Sequence, residues 1–135
     1  MALIAFPDIE AWLTAYLRAQ PEIADLVGDR VYTEIPNSPT FPLVVCRRVG
    51  GAPLNTGRAL HVDRALCQID AYGGPKATAR ALADLCRQAV HASVGTQPNL
   101  VVSHVLHGGL RWMPDTGFEP SRPRYLYDAQ ISFHQ

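Results

Sequence analysis

The sequence lacks any apolar run near the ~20 residues that a membrane-crossing helix requires. Its apolar N-terminal segment, residues 2–6, is too short for the core of a secretory signal, so the expectation is a soluble chain without an export signal. Neither charge is in excess. Twelve basic side chains face twelve acidic ones, and a chain with no net field is not drawn as a whole to nucleic acid or to an anionic membrane. Cysteine is scarce and odd in number: Cys46, Cys67 and Cys86 stand far apart within apolar patterns. That argues against a disulfide or zinc framework and for reduced core thiols, the state expected in a cytosol. Internal repeats and low-complexity tails are also missing. What remains is a chain of 135 residues, 47% hydrophobic and 18% charged, which reads as one globular domain over residues 1–135.

The strongest local signal runs over residues 65–90. Leu66, Cys67, Ile69 and Ala71 form a mostly apolar run, as a central strand covered on much of both faces requires. Gly73 and Gly74 end it, and Pro75 suits the first turn of a helix because its φ is already helical and its missing N–H would be unpaired there. Leu82, Leu85, Cys86, Ala89 and Val90 then recur three and four apart, with Lys76, Arg80, Asp84, Arg87 and Gln88 mostly opposite, which predicts one buried helical stripe.

Upstream, Ile9, Trp12, Leu13, Tyr16 and Leu17 predict a first amphipathic helix starting at Pro7 or Asp8. Pro21 interrupts it, and residues 22–27 add a turn or two that Gly28 closes. Residues 31–33 form a short extended piece, and residues 36–42, with three prolines, an irregular connection. Residues 43–49 form a second strand that leaves the core at Arg47 and Arg48. Residues 50–62 have no apolar pattern, which predicts either a long loop or a hairpin extension that projects from the core. Residues 100–106 form another strand. Gly108 and Gly109 turn it, so that Leu110, Trp112 and Met113 can pair back as a short arm. A second irregular loop, residues 115–124, precedes a last strand in which Tyr125, Tyr127, Ala129, Ile131 and Phe133 alternate with Leu126, Asp128, Gln130 and Ser132, a half-buried antiparallel pattern. The expected architecture is α+β: a mostly antiparallel sheet of four to five strands, two amphipathic helices on one face, and two long projecting loops.

Chemistry is sparse. The Gly73-Gly74-Pro75-Lys76 junction sits where a phosphate loop would, but its spacing cannot wrap phosphate and Pro75 removes an N–H donor. His104 and His107 are three apart on a strand and therefore face opposite ways, with no carboxylate or cysteine nearby in sequence to complete a metal site. There is no Gly-x-Ser-x-Gly elbow, and the thiols read as buried. We therefore expect no catalytic residue, no cofactor and no metal. The candidate interface is a group of side chains in or beside the two loops: Arg47, Arg48, Asn55, Arg58, Arg64, Arg122 and Arg124, together with Trp112. Arginine and tryptophan are favoured at protein interfaces, the first for its planar fork and the second for its buried area.

The order of elements resembles that of the tail terminator or tail completion proteins of long-tailed bacteriophages of the siphophage type. The resemblance covers nearly the whole chain and rests on the N-terminal helix, Val27-Gly28-Asp29-Arg30-Val31-Tyr32, Ile35-Pro36, Phe41-Pro42-Leu43-Val44, the strand Gln68-Ile69-Asp70-Ala71-Tyr72 before an alanine-rich helix, and Tyr125-Leu126-Tyr127-Asp128-Ala129-Gln130-Ile131. It implies a virion assembly protein and not an enzyme. Such a protein forms a ring of six copies that caps the tail tube, ends its polymerisation and offers a surface to the head connector. The implied partners are further copies of the chain, the major tail tube protein and the head-tail connector proteins. DNA would pass through the ring without specific binding. The implied place is the tail-neck junction of the virion, after assembly in the host cytoplasm. The rival readings are another neck component, such as a head-closure or connector protein, or a small enzyme or ligand-binding domain.

Overall fold

In the computed structural model, which describes residues 5–54 and 61–135, three helices lie on one face of a six-stranded sheet. Helix α1 (Ile9–Arg18) begins where Asp8 accepts a hydrogen bond from the Ala11 N–H at 3.1 Å, filling one of the orphan donors of the first turn. Helix α2 (Pro21–Val27) has proline in its first turn and ends at Gly28, whose φ of 61° favours glycine. Strands β1 (Val31–Tyr32), β2 (Leu43–Gly50) and β3 (Asp63–Tyr72) follow, then α3 (Lys76–Ala92), β4 (Gly95–Thr96), β5 (Val101–Trp112) and β6 (Arg124–His134). The strand order is β1-β2-β3-β6-β5-β4, antiparallel throughout except for β1 with β2.

The period-two pattern sorts the side chains. Val44 and Cys46 of β2, Ala65, Cys67, Ile69 and Ala71 of β3, and Tyr127, Ala129, Ile131 and Phe133 of β6 meet Trp12, Leu13, Leu17, Leu82, Ala83, Cys86 and Val90 in one core. Tyr16 ties α1 to α3 by donating its hydroxyl proton to the Ala89 carbonyl at 2.6 Å. The three cysteines are buried and free, and burial pushes Cys46 and Cys67 up to about 12. At the β3–α3 junction a Cβ on Gly73 would stand 2.5 Å from the Ala79 nitrogen. Close backbone approach, rather than any phosphate, explains that glycine.

Several expectations need correction. Among the described residues there are six strands rather than four or five: the short extended piece at residues 31–33 is β1, and β4, two residues long, carries too little pattern to be read. The described residues form three helices rather than two, since the segment from Pro21 makes a complete helix. Strand β2 runs on to Gly50, but its burial does end at Arg47 and Arg48, as expected: both are half-buried and paired with buried carboxylates described below, and Val49 is 50% exposed. Gly108 and Gly109 do not turn the chain: β5 runs unbroken from Val101 to Trp112, and the glycines form a bulge between the His107–Ala129 and Leu110–Tyr127 pairs. A Cβ on Gly108 would lie 3.0 Å from the Asp128 carbonyl oxygen. The second loop does not project. Asp115 and Arg122 bridge its two sides, with N–H to carbonyl distances of 2.9 and 3.0 Å. Of the first loop, Leu54 and Val62 form an isolated antiparallel bridge, and residues 55–60 lie outside the described residues.

Candidate interaction surface

The charged and aromatic side chains gather at two ends of the sheet, on the face away from the helices at one end and on the helix-covered face at the other. At the end where β3 meets α3, Leu43, Val45 and Tyr72 are covered by Phe41 and Phe118 from the two flanking loops. Phe41 lies 5.7 Å from Tyr72 and 5.5 Å from Phe118 between ring centroids. Arg122 caps this cluster with its guanidinium 4.3 Å over the Phe41 ring, a cation–π contact that holds the second loop to the sheet.

Beside it sits an ionic network built on Asp70, a fully buried carboxylate. Arg47 donates to it at 2.6 Å and the Gln68 amide at 2.9 Å, and Arg124 stands 3.9 Å away. A buried carboxylate is tolerable only when so surrounded. Tyr72 donates to Asp115 at 2.7 Å, and burial together with that bond pushes the phenol up to about 12. Burial alone would raise Asp115. Hydrogen bonds from Tyr72 and the Gly117 N–H, with Arg124 and Arg47 nearby, outweigh it and hold the carboxyl below its ordinary value.

At the opposite end of the sheet, Arg48 grips buried Asp63 with both nitrogens of its fork, at 2.5 and 2.9 Å. Its own backbone N–H, on the outer side of β2, donates to the Glu10 carboxylate at 2.9 Å. The Arg64 carbonyl also accepts from Arg48, while the Arg64 Nε is buried without a partner among the described residues. Trp112 closes β5, 41% exposed, its ring 5.2 Å from Tyr125 and 4.4 Å below the Lys76 ammonium. The structure thus gathers Arg47, Arg122 and Arg124 at one end, puts Arg48 and Arg64 at the other, and leaves Trp112 at the β5 edge. Asn55 and Arg58 lie outside the described residues.

Sequence reasoning missed Asp70 and Asp63, the carboxylates that organise these arginines. Their signal was a lone acid in an apolar strand run. It also missed a cluster at the α3–β5 seam. His104 pairs across from Ser132 and His107 from Ala129, so the two do face opposite ways. His107 instead meets His91, with Nε2 3.3 Å from the His91 Nδ1, and its own Nδ1 bonds the Tyr127 hydroxyl. Among the described residues no three histidine, cysteine or carboxylate side chains converge as metal ligands do. A groove of about 600 Å³ runs between α1 and residues 97–100. Its two ionisable side chains, Asp8 and Tyr16, are already used as the α1 cap and the α1–α3 tie.

Paired arginines and loop-borne aromatics are side chains that suit a contact surface. The sequence family described as Tail completion protein gp17 matches residues 11–122. The chain belongs to that family. The matched span runs from within α1 through β5 to the Arg122 bridge and stops before β6. As a member of that family, the chain is a virion assembly component. Its fold is similar to that of a chain in the solved virion of a native gene transfer agent (GTA) particle, with a TM-score of 0.65 and 22% identity over 94% of this chain and 95% of that one. No curated protein matches.

Proposed function

We propose that this tail completion protein forms a ring, of six copies in keeping with the family resemblance, that seats on the end of the tail tube, stops further addition of tube subunits and presents a joining surface to the head connector. The observation that carries this reading is the family match over residues 11–122. It acts by assembly and not by catalysis, at the tail-neck junction, with the tube protein, connector proteins and its own copies as partners and with DNA passing through unbound. The chain's zero net charge suits such a channel, since a basic lumen would retain phosphate. The end of the sheet bearing Arg47, Arg122, Arg124 and Trp112 is the proposed docking end, its arginines pre-set by Asp70 and Asp115 so that little side-chain freedom is lost on contact. Asn55 and Arg58 extend the same role to the first loop, whereas Arg48 and Arg64 support it from within the sheet.

The test is deletion of the gene in the particle that encodes it, followed by negative-stain electron microscopy of the lysate. Overlong tails of variable length beside full, separate heads are the expected result. Tails of normal length beside unjoined heads would move the protein to the connector side of the joint. Normal infectious particles would overturn the assembly reading.

A further inference from the structure

Strand β4 covers only Val101 and Val102 of β5. From Ser103 to Trp112, no described residue pairs with the outer side of the strand. Such an edge is a template for pairing with another chain, and proteins usually blunt it with charge or proline. Here residues 103–110 contain no aspartate, glutamate, lysine, arginine or proline, and Leu106 is 59% exposed.

Charge says what covers it. Residues 1–34 hold six of the chain's twelve acidic side chains and two of its twelve basic ones. Both of those basic groups are spent on backbone carbonyls, Arg18 on Asp29 and Val31 and Arg30 on Pro42. Glu22, Asp25, Asp29 and Glu34 remain exposed around α2 and β1, without an ion pair among the described residues. The β5 flank is the reverse: α3 and β5 together carry Lys76, Arg80, Arg87 and Arg111, of which Arg87 pairs with Asp84 and Arg111 with Asp128 of β6 while Lys76 and Arg80 have no ion pair among the described residues, with His91, His104 and His107 beside them. Strand order puts β1 and β5 at opposite sides of the sheet.

We propose that the open edge of β5, with the basic flank of α3, docks on the acidic β1–α2 flank of a second copy of this chain. One subunit then uses two unlike surfaces, a heterologous contact that repeats head to tail and closes into a ring. The inference rests on the ring reading and names the surfaces that make it.

Cysteine cross-linking tests it, because the native thiols are at most 1% exposed. The full chain carrying both Leu106→Cys and Glu34→Cys is treated with a short bis-maleimide, in concentrated solution and in purified particles. A ladder of covalent multimers on a denaturing gel, absent from either single variant, is the expected result. Dimers from Leu106→Cys alone would show two-fold β5–β5 pairing and overturn the proposal. Oligomers by light scattering or rings in particles without a ladder would overturn these surfaces and leave the ring standing. A single copy per particle would overturn the ring reading itself. As a second measurement, Asp29→Arg with Glu34→Arg weakens self-association about ten-fold, and adding Arg80→Glu with Arg111→Glu restores it. Failure of that restoration, in chains whose circular dichroism matches the parent's, counts against the charge match.

Discussion

The two long edges of the sheet are finished in different ways. On the β2 side, β1 covers Val44 and Val45, the Glu10 carboxylate accepts the outward Arg48 N–H, and Arg48 itself is locked to buried Asp63. On the β5 side, pairing stops after Val102 and the strand continues for ten residues, bent by bulges at residues 102–104 and 107–110. The first edge spends charged side chains on closing itself. The second has no backbone partner on its outer side among the described residues and keeps its ionic groups on the flank, which is the difference that the proposed contact between copies uses.

A large effect should come from breaking the shut edge. Asp63→Ala leaves Arg48, whose side chain is half-buried, without its buried counter-charge, and the cost expected for one broken partner of such a partly buried pair is about 2 kcal/mol. Urea unfolding followed by tryptophan fluorescence reads it directly. A loss under about 1 kcal/mol would mean that the Arg48 contacts to the Gly50 and Arg64 carbonyls hold the edge without Asp63.

The open edge is sensitive at one glycine and not at its neighbour. Gly108→Val drives side-chain atoms against the Asp128 backbone, already 3.0 Å from a bare Cβ, and should cost about 2 kcal/mol by overpacking. At Gly109 nothing lies within 4 Å, so Gly109→Ala should stay within about 0.5 kcal/mol of the parent. Equal losses at the two positions would argue that the bulge is not held in place by β6.

Glu10→Gln tests the cap with a gentler change. The amide still accepts from the Arg48 N–H, but a charge-assisted bond becomes a neutral one, and a loss of about 1 kcal/mol is expected. Hydrogen exchange gives the sharper readout: the Arg48 amide should lose protection while amides of β3, at the centre of the sheet, keep theirs. If Arg48 stays protected, the edge is shut by β1 and α1 as a whole and not by this carboxylate.

How far the sequence announced this comparison depends on the range of the interaction. Helices α1 and α3 and the alternation of β6 were legible because each buries a periodic stripe of its own, Leu82 through Val90 or Tyr125 through Phe133. The two edges were not. A Gly-Gly pair serves a turn and a bulge equally well, and only Asp128, twenty residues on, decides between them. The arginines beside the loops could be seen, but their pairing with Asp63 and Asp70 joins positions 15 and 23 residues apart; alternation sets the two carboxylates on opposite faces of β3 but does not say which β2 residue lies across from each. Strands of two residues, β1 and β4, exist only by virtue of their neighbours, so the difference between a closed edge and an open one is a tertiary fact.

The smallest effect lies at the seam behind the open edge. Burial, His91 and Arg87 hold His107 below its ordinary value of 6.5, and Tyr127 on β6 bonds its Nδ1. A histidine whose folded value is depressed binds its proton more readily in the unfolded chain, so its contribution to stability is complete above about 6.5 and declines as pH falls through that value toward the lower folded one. Melting temperature should therefore drop between pH 7 and pH 5 more steeply in the parent than in His107→Gln, which removes the titrating ring. The carboxylates held low, Asp84 and Asp115, contribute stability that is lost only as pH falls below the ordinary carboxylate range, so they do not imitate the signal. Parallel pH profiles in parent and variant would mean that the seam accepts an imidazolium without cost, and that the basic flank of β5 gains a further positive charge in mild acid.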